Sequence, residues 1–425
     1  MALAMLGCMA NAQTEVLELT VKKMVQVTVK NSSNLAKANE PVVVKLADIK
    51  GMSFTPEHAL VKDGDEMVRC QLDDMDGDLR ADELFFLTDL KPKESKTFNV
   101  ELAISPTSAM TEAEKAEPRI YTALQIRDKK DLHPDVRCIE APATSNIFND
   151  VYMHGMTIES ELCGYRIYFD HRQNIDLYGK KYRRIELPET QFYTTADQIA
   201  KGYGVDVLWA GQAIGCGSFK NWTGSNPDNW TNLKVRGQRV VTSGPLRTVV
   251  ELYDLGINYT KDVKPGYKDQ YDIRQYYTMY AGHRDLKVDI VFSKQVKDQF
   301  CTGVQKVGVT AEDSVRRGHK PEGILRADGI VASWGCDYPD MGKKQLWGPE
   351  AIGMAVYMPK EYIKDSKEDE LNYVYVVEPK DAVIHYYLSF CADKEEQGYH
   401  TAKEWFASLD QWKQNITSPV QVTVK

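Results

Sequence analysis

The sequence predicts a mostly β protein: a small N-terminal antiparallel β-sandwich, then a larger assembly of long antiparallel strands, with one helix near the C-terminus. Three observations carry this. Apolar residues recur with period two in many segments, as in strands with one buried face. Short turn signals separate those segments, with almost no amphipathic helical pattern between them, which disfavours parallel βαβ units. The chain has 425 residues, too many for one ordinary core, so two domains or one large β-architecture is expected.

The elements follow in order. Residues 1–12 hold a short apolar run from Ala2 to Ala10, and Ala10-Asn11-Ala12 fits the small-x-small pattern of a signal-peptidase site, leaving Gln13 first. A basic start is missing, and Leu6-Gly7-Cys8 offers a lipoprotein alternative, but plain export to the periplasm or beyond is the expectation. Residues 14–106 read as the small sandwich. Val25, Val27 and Val29 alternate with polar residues, as do Val42, Val44 and Leu46, then Phe98, Val100 and Leu102, with turns at Asn31-Ser-Ser-Asn34 and Lys62-Asp-Gly-Asp65. Residues 107–118 are polar and helix-prone, a connector.

Residues 119–425 continue in β. Leu246–Leu255, Tyr271–Tyr280 and Leu286–Phe292 read as strands, the last two joined by a glycine-containing hairpin at Ala281–Asp285. Asn372–Val377 and Val383–Phe390 look like a closing pair. Thr401–Gln414 reads as a helix, with Thr401 as N-cap, Glu404 three residues on, and Trp405, Leu409 and Trp412 on one face.

Composition excludes several classes. The net charge is −8 with no Lys/Arg run, so nucleic acid is not an expected partner. No apolar run is long enough to span a bilayer. The eight cysteines are scattered without a C-x-x-C, so they form neither a disulfide framework nor a zinc ribbon and read as small buried hydrophobes. His283, His319, His385 and His400 lack partners at metal-ligand spacing, and no G-x-S-x-G supports a serine hydrolase. Gly211-Gln-Ala-Ile-Gly215-Cys-Gly217-Ser218 leads into a loop, not a helix N-terminus, so it is not read as a phosphate cradle. Its glycines fit close sheet packing or a loop over a cleft.

Three stretches carry candidate chemistry. In the first, Asp74, Asp76, Asp78 and Asp82 occupy positions one, three, five and nine of a tight loop, a spacing that suits the hard oxygen ligands of a structural Ca²⁺. Leu79 stands where comparable calcium loops carry glycine. An aspartate-rich turn held by Asx hydrogen bonds reads equally well. In the second, Trp222 and Trp230 flank an Asn/Asp-rich loop that offers a sugar-stacking platform, or else two rings packed back on the sandwich.

The third, His154–Lys180, is the densest in ionisable groups. By period two, Arg166, Tyr168, Asp170 and Arg172 face one way and Ile167 and Phe169 the other. His171 and Arg172 can share a site only if the strand breaks near Asp170. Arg166, Arg172 or Lys180 can neutralise a carboxylate, His154 or His171 can act as base, and Tyr178 as acid. Together they suit abstraction of a proton alpha to a carboxylate. The same residues also read as an ion-paired strand, with the arginines bonded to Asp170, Asp176, Glu159 or Glu161 and the histidines satisfied by backbone.

Three pieces carry a family resemblance: Tyr165–Lys180; Gln71-Leu-Asp-Asp-Met-Asp-Gly-Asp78 with Ala81-Asp-Glu-Leu84; and Gly244-Pro-Leu-Arg-Thr-Val-Val-Glu251. Together they resemble the domain-of-unknown-function 4861 family (DUF4861), secreted proteins of Bacteroidetes polysaccharide-utilisation loci. The resemblance implies a galactose-mutarotase-like β-supersandwich for the larger part and a carbohydrate-processing role. It implies a lyase or dehydratase acting on a uronic acid at the non-reducing end of an anionic oligosaccharide, by C5 proton abstraction and elimination, with no catalytic cofactor. A non-catalytic sugar-binding or accessory protein, and a sugar epimerase or mutarotase, are the alternatives.

Overall fold

The computed structural model describes residues 21–114, 117–130, 132–258, 270–308, 322–340, 342 and 344–425. The expected signal segment and His319 lie outside these.

The N-terminal sandwich forms as its alternation predicts. One five-stranded sheet holds Lys22–Lys30, Ser95–Ala103, His58–Asp63 and Glu66–Val68. A three-stranded sheet of Lys37–Lys45, Glu83–Leu90 and Cys70–Asp73 packs on it. Val25, Val27, Val29, Val42, Val44, Phe98, Val100 and Leu102 point into the shared core. Glu83–Leu90 departs from simple alternation, because Leu84, Phe85, Phe86 and Leu87 are all buried. Leu84 and Phe86 face the sandwich core, while Phe85 and Leu87 join the core of the larger part. A strand covered on both faces loses its polar positions.

The fifth strand of the first sheet is Gln421–Val424, which pairs antiparallel with Lys22–Lys30. This strand returns to the first sandwich and so crosses the expected division at 106 and 119. The connector forms a helix, Ser108–Glu114, whose Met110 is buried against Leu60 and Ala103.

The larger part is a sandwich of one nine-stranded sheet against two five-stranded sheets, every pairing antiparallel. The long sheet contains Val235–Ser243, Arg247–Ile257, Tyr271–Tyr280, Leu286–Phe292 and Val383–Ala392 in neighbouring positions. One facing sheet holds Gly155–Ser160, Gly164–Tyr168 and Ile175–Gly179; the other holds Lys220–Trp222, Phe300–Gln305 and Asn372–Val377. The mostly β fold class holds. The expected closing pair does not: Asn372–Val377 and Val383–Ala392 lie in different sheets, the latter paired with Leu286–Phe292 and Glu350–Tyr357. Their alternation was legible, but the partner of a strand is a non-local matter.

The helix spans Ala402–Thr417, with Thr401 accepting from the Glu404 N–H and Glu404 accepting from the His400 N–H at 2.9 Å. Trp405 and Leu409 are buried against the long sheet. Gly353 makes room there, since a Cβ on it would lie 2.7 Å from the Trp405 ring. No helix among the described residues is long and apolar enough to cross a membrane.

Candidate functional site

The ion-rich sheet explains where its charges go. Register sets Gly164 opposite Tyr178 and Arg166 opposite Asp176, with Thr157 on the far side of Arg166. Ile158, Tyr165, Ile167, Ile175 and Leu177 consequently point into the main core. The opposite face carries Glu159, Arg166, Tyr168, Asp176 and Tyr178, and it too is covered. Leu187 and Phe192 pack on Tyr178, and the Arg166 guanidinium sits 4.4 Å from the Phe192 ring centroid.

Buried charge in such a place must be paired. Arg166 bonds Asp176 and, at 3.1 Å, Asp206, and donates to the Tyr168 hydroxyl at 2.9 Å. The Lys180 ammonium meets Glu159 at 2.5 Å and donates to the carbonyls of Ser160 and Arg184. The Tyr178 hydroxyl lies 2.8 Å from the Gly204 carbonyl and 3.1 Å from Glu186, and burial pushes its pKa far above the ordinary tyrosine value. Arg166, Lys180 and Tyr178 are therefore internal ties. The substrate-facing roles expected for them do not hold, because the second face of their sheet is sealed.

The strand ends after Tyr168. The Asp170 carboxylate accepts from the backbone N–H of Arg172 at 2.8 Å and of Gln173 at 3.2 Å, an Asx turn. Gln173 takes a left-handed φ of 49°. This break resolves the conflict between His171 and Arg172: both line one cleft of about 420 Å³, with Asn146, Phe148, Gln212 and Arg236.

The loop is pinned from below. Trp230 N–H donates to the His171 carbonyl at 2.9 Å, and the Lys220 ammonium donates to the Arg172 carbonyl and to Asn229 Oδ1. Burial pulls the pKa of Lys220 down to about 7, against the raising influence of Asp170. Arg236 bonds Asp254 at 3.2 Å and the Trp230 carbonyl at 2.6 Å, and Asp254 also accepts from Gln173 at 2.6 Å. Arg172 pairs with Asp170 at 2.6 Å and keeps a third of its side chain exposed.

His154 stands beside this cleft. Met153 and His154 both take left-handed φ values, 54° and 63°, which is uncommon for residues with a Cβ and marks strain held by the surroundings. Gly155 follows out of necessity, since a Cβ there would lie 1.9 Å from the Ile167 carbonyl oxygen. The imidazole stacks on Phe148, with ring centroids 4.1 Å apart and planes at 4°, and Nδ1 lies 3.0 Å from the Phe148 carbonyl oxygen. That oxygen only accepts, so Nδ1 carries the hydrogen and Nε2 keeps the lone pair. Burial lowers the His154 pKa and favours the neutral ring, the Phe148 bond opposing and Arg166, Arg127 and Arg172 adding to the effect. The Arg172 guanidinium lies 5.4 Å from the Phe148 centroid and 5.5 Å from that of Tyr168.

The tryptophans are not a platform. Trp230 is buried, stacked near Phe219 and Phe300, with its indole N–H donated to the Phe219 carbonyl at 2.8 Å. Trp222 is buried with Ile214, Cys301, Val374 and Val376. Their loop folds as a short hairpin against Phe300–Gln305 and turns both rings inward. Phe148, Gln212, Lys220 and Arg236 were not legible as site residues. Gln212 sits in the glycine-rich stretch 211–218, whose fit to a loop over a cleft was the one available signal, and the other three sit in segments of ordinary appearance. Cys163, Cys216, Cys301 and Cys391 are buried as expected, whereas Cys138 is exposed.

The aspartate loop is ordered by its own side chains. Asp74 accepts from the N–H groups of Gly77 and Leu79, Asp76 from Asp78, Asp78 from Arg80, and Asp82 from Met75. Carboxylate oxygens of Asp74, Asp76 and Asp78 lie within 4.8 Å of one another, and Asp82 is not in that group. Leu79 takes φ 70° where glycine would be unstrained. Three converging hard oxygens fit a calcium ion in type and spacing.

Two of the three motifs that carried the family resemblance, Gln71–Leu84 and Gly244–Glu251, meet in space. Gln71 accepts from the N–H groups of Leu246 and Arg247, and a Cβ on Gly244 would lie 2.5 Å from the Gln71 amide. Arg247 pairs with Asp73 and Glu83.

The family described as "Domain of unknown function (DUF4861)" matches residues 29–422. No curated protein matches the chain in sequence. Among solved structures, the chain is similar to an alpha-mannosidase from Enterococcus faecalis V583, at 11% identity and a TM-score of 0.44, over 95% of this chain and 46% of that one. The chain thus spans about half the length of that protein. It is also similar to a proposed aldose 1-epimerase from Klebsiella pneumoniae subsp. pneumoniae MGH 78578, at 8% identity and a TM-score of 0.29, over 69% of this chain and 95% of that one. Likeness at this level carries no argument about activity.

Proposed function

The chain belongs to the DUF4861 family, and we propose that it is a carbohydrate-active lyase acting on a uronic acid at the non-reducing end of an oligosaccharide. One observation carries the reading: His171 and Arg172 open on one cleft with Arg236, beside a His154 that is neutral and has Nε2 as its lone-pair nitrogen. The Arg172 guanidinium, a third exposed on the cleft, suits a carboxylate-bearing ligand. Asn146, Ser145 and Gln212 on the same cleft suit sugar hydroxyls.

In this reading Arg172 holds the carboxylate, which makes the C5 proton acidic enough to remove. His154 Nε2 takes that proton. The electron pair of the broken C–H bond forms the C4=C5 double bond, the C4–O bond breaks, and His171 protonates the departing oxygen, which leaves as water. The products are water and a 4,5-unsaturated uronate. We also propose a structural Ca²⁺ held by Asp74, Asp76 and Asp78, which would brace the loop and take no part in the chemistry.

The test is incubation with a panel of uronate-terminated oligosaccharides, followed by ultraviolet absorbance of the conjugated double bond. A rise that His154→Ala abolishes and Arg172→Ala slows is the expected result. No rise with any member of the panel overturns the lyase reading, and a change in anomeric ratio instead would point to a mutarotase.

A further inference from the structure

Trp209 is 64% exposed, the one tryptophan among the large exposed hydrophobic residues. It opens the turn 210–213, which is closed by the Ala213 N–H donating to the Ala210 carbonyl at 2.8 Å. The indole folds over that turn: a Cβ on Gly211 would lie 3.1 Å from its Nε1, and Gly211 itself takes φ 55°. The next residue, Gln212, lines the cleft with His171 and Arg172. Three peptide units join Trp209 to Gln212, so their Cα atoms lie no more than about 11 Å apart.

The turn is held from below at both ends. Gln305 donates to the Trp209 carbonyl at 3.0 Å, and Asn174 donates to the Ala213 carbonyl at 3.4 Å. Trp209 stacks on no other ring among the described residues. A large aromatic face kept in water, on a braced turn whose next residues reach the lining of a polar cleft, suits an apolar ligand face.

We infer that the Trp209 indole is a stacking subsite for a second sugar ring, next to the residue bound in the cleft. The inference rests on the carbohydrate reading above and deepens it: the ligand is an oligosaccharide chain that leaves the cleft past Gln212. Pyranose rings present C–H faces that pack on indole without any charge requirement, so this subsite selects for chain length, while Arg172 selects for the carboxylate.

The experiment measures calorimetric affinity and turnover for a uronic acid monosaccharide and for di- and tetrasaccharides that end in it. It uses the whole chain and its Trp209→Ala and Trp209→Phe variants, with thermal melting to confirm folding. The wild type should bind the tetrasaccharide roughly tenfold more tightly than the monosaccharide. Trp209→Ala should erase that preference and Trp209→Phe should restore most of it. If the length preference is the same in wild type and Trp209→Ala while turnover persists, the subsite is wrong and the lyase reading stands. If Trp209 governs length preference in binding but no unsaturated product forms, the subsite stands and the elimination falls. If no uronate ligand binds the wild type, both fall.

Discussion

The His154 imidazole lies flat on the Phe148 ring, 4.1 Å away, and its Nδ1 faces that residue's own carbonyl oxygen. One residue thus fixes both the tilt and the tautomer of the histidine, while burial keeps it neutral. The pH dependence follows. The folded-state pKa is below the ordinary 6.5, so the unfolded chain binds the proton more readily. Stability is then full above about pH 6.5 and declines as the pH falls below it. The acid limb of kcat/KM should likewise turn at an apparent pKa below 6.5, because the base works neutral. A pH–rate profile checks this, and an acid limb above 6.5 would exclude His154 as the base.

Arg172 gives a second expectation. Its guanidinium is held by Asp170 yet remains partly exposed on the cleft. Arg172→Ala should reduce kcat/KM on a uronate substrate by about 10- to 100-fold, corresponding to about 1.5–3 kcal/mol for a hydrogen bond to a charged group. Arg172→Lys should recover part of this, since an ammonium keeps the charge without the fork. The loss should vanish with a substrate whose carboxylate is reduced to an alcohol.

The Asp73–Arg247 pair joins the two parts of the molecule. Arg247 donates from Nε, at 2.8 Å, and from a terminal nitrogen to the same Asp73 oxygen, and both side chains are nearly inaccessible. Asp73→Ala should cost about 3 kcal/mol, because it leaves the buried Arg247 guanidinium with Glu83 as its remaining carboxylate partner. Asp73→Leu combined with Arg247→Met should be less damaging than the sum of the single changes. Denaturant titration of Asp73→Ala, of the two single changes and of the double variant decides the matter.

The aspartate loop predicts a metal-dependent melting temperature. Calcium at a hundred times its Kd should add about 2.7 kcal/mol, seen as a higher Tm than in chelator. Asp76→Asn with Asp78→Asn should abolish the difference. Equal Tm values with and without calcium would leave the loop as an Asx-bonded turn.

The sequence showed much of the fold. Tyr271–Tyr280 and Leu286–Phe292 form with the boundaries read from their alternation, since a strand with one buried face writes that face directly into its side-chain order. The helix near the C-terminus was legible from Thr401 and Glu404, whose caps are local. Less of the site was legible. Alternation placed Arg166 and Ile167 on opposite faces, and nothing local revealed that both faces would be covered. For the same reason Tyr178, Lys180, Trp222 and Trp230 looked available and are buried. Phe148, Gln212 and Arg236 were missed because they join the cleft from separate segments.

By itself, the sequence determined the strands, the N-capped helix, the aspartate turn and the density of ionisable groups between His154 and Lys180. These rest on periodicity and on hydrogen bonds spanning a few residues. Only the tertiary structure decided which of those groups became internal ion pairs and which reached a cleft. That choice depends on contacts far apart in the chain: Trp230 and Lys220 fastening the carbonyls of His171 and Arg172, and Phe192 closing over Arg166. A charge is committed or available according to what covers it, and covering is a property of packed sheets, not of one strand.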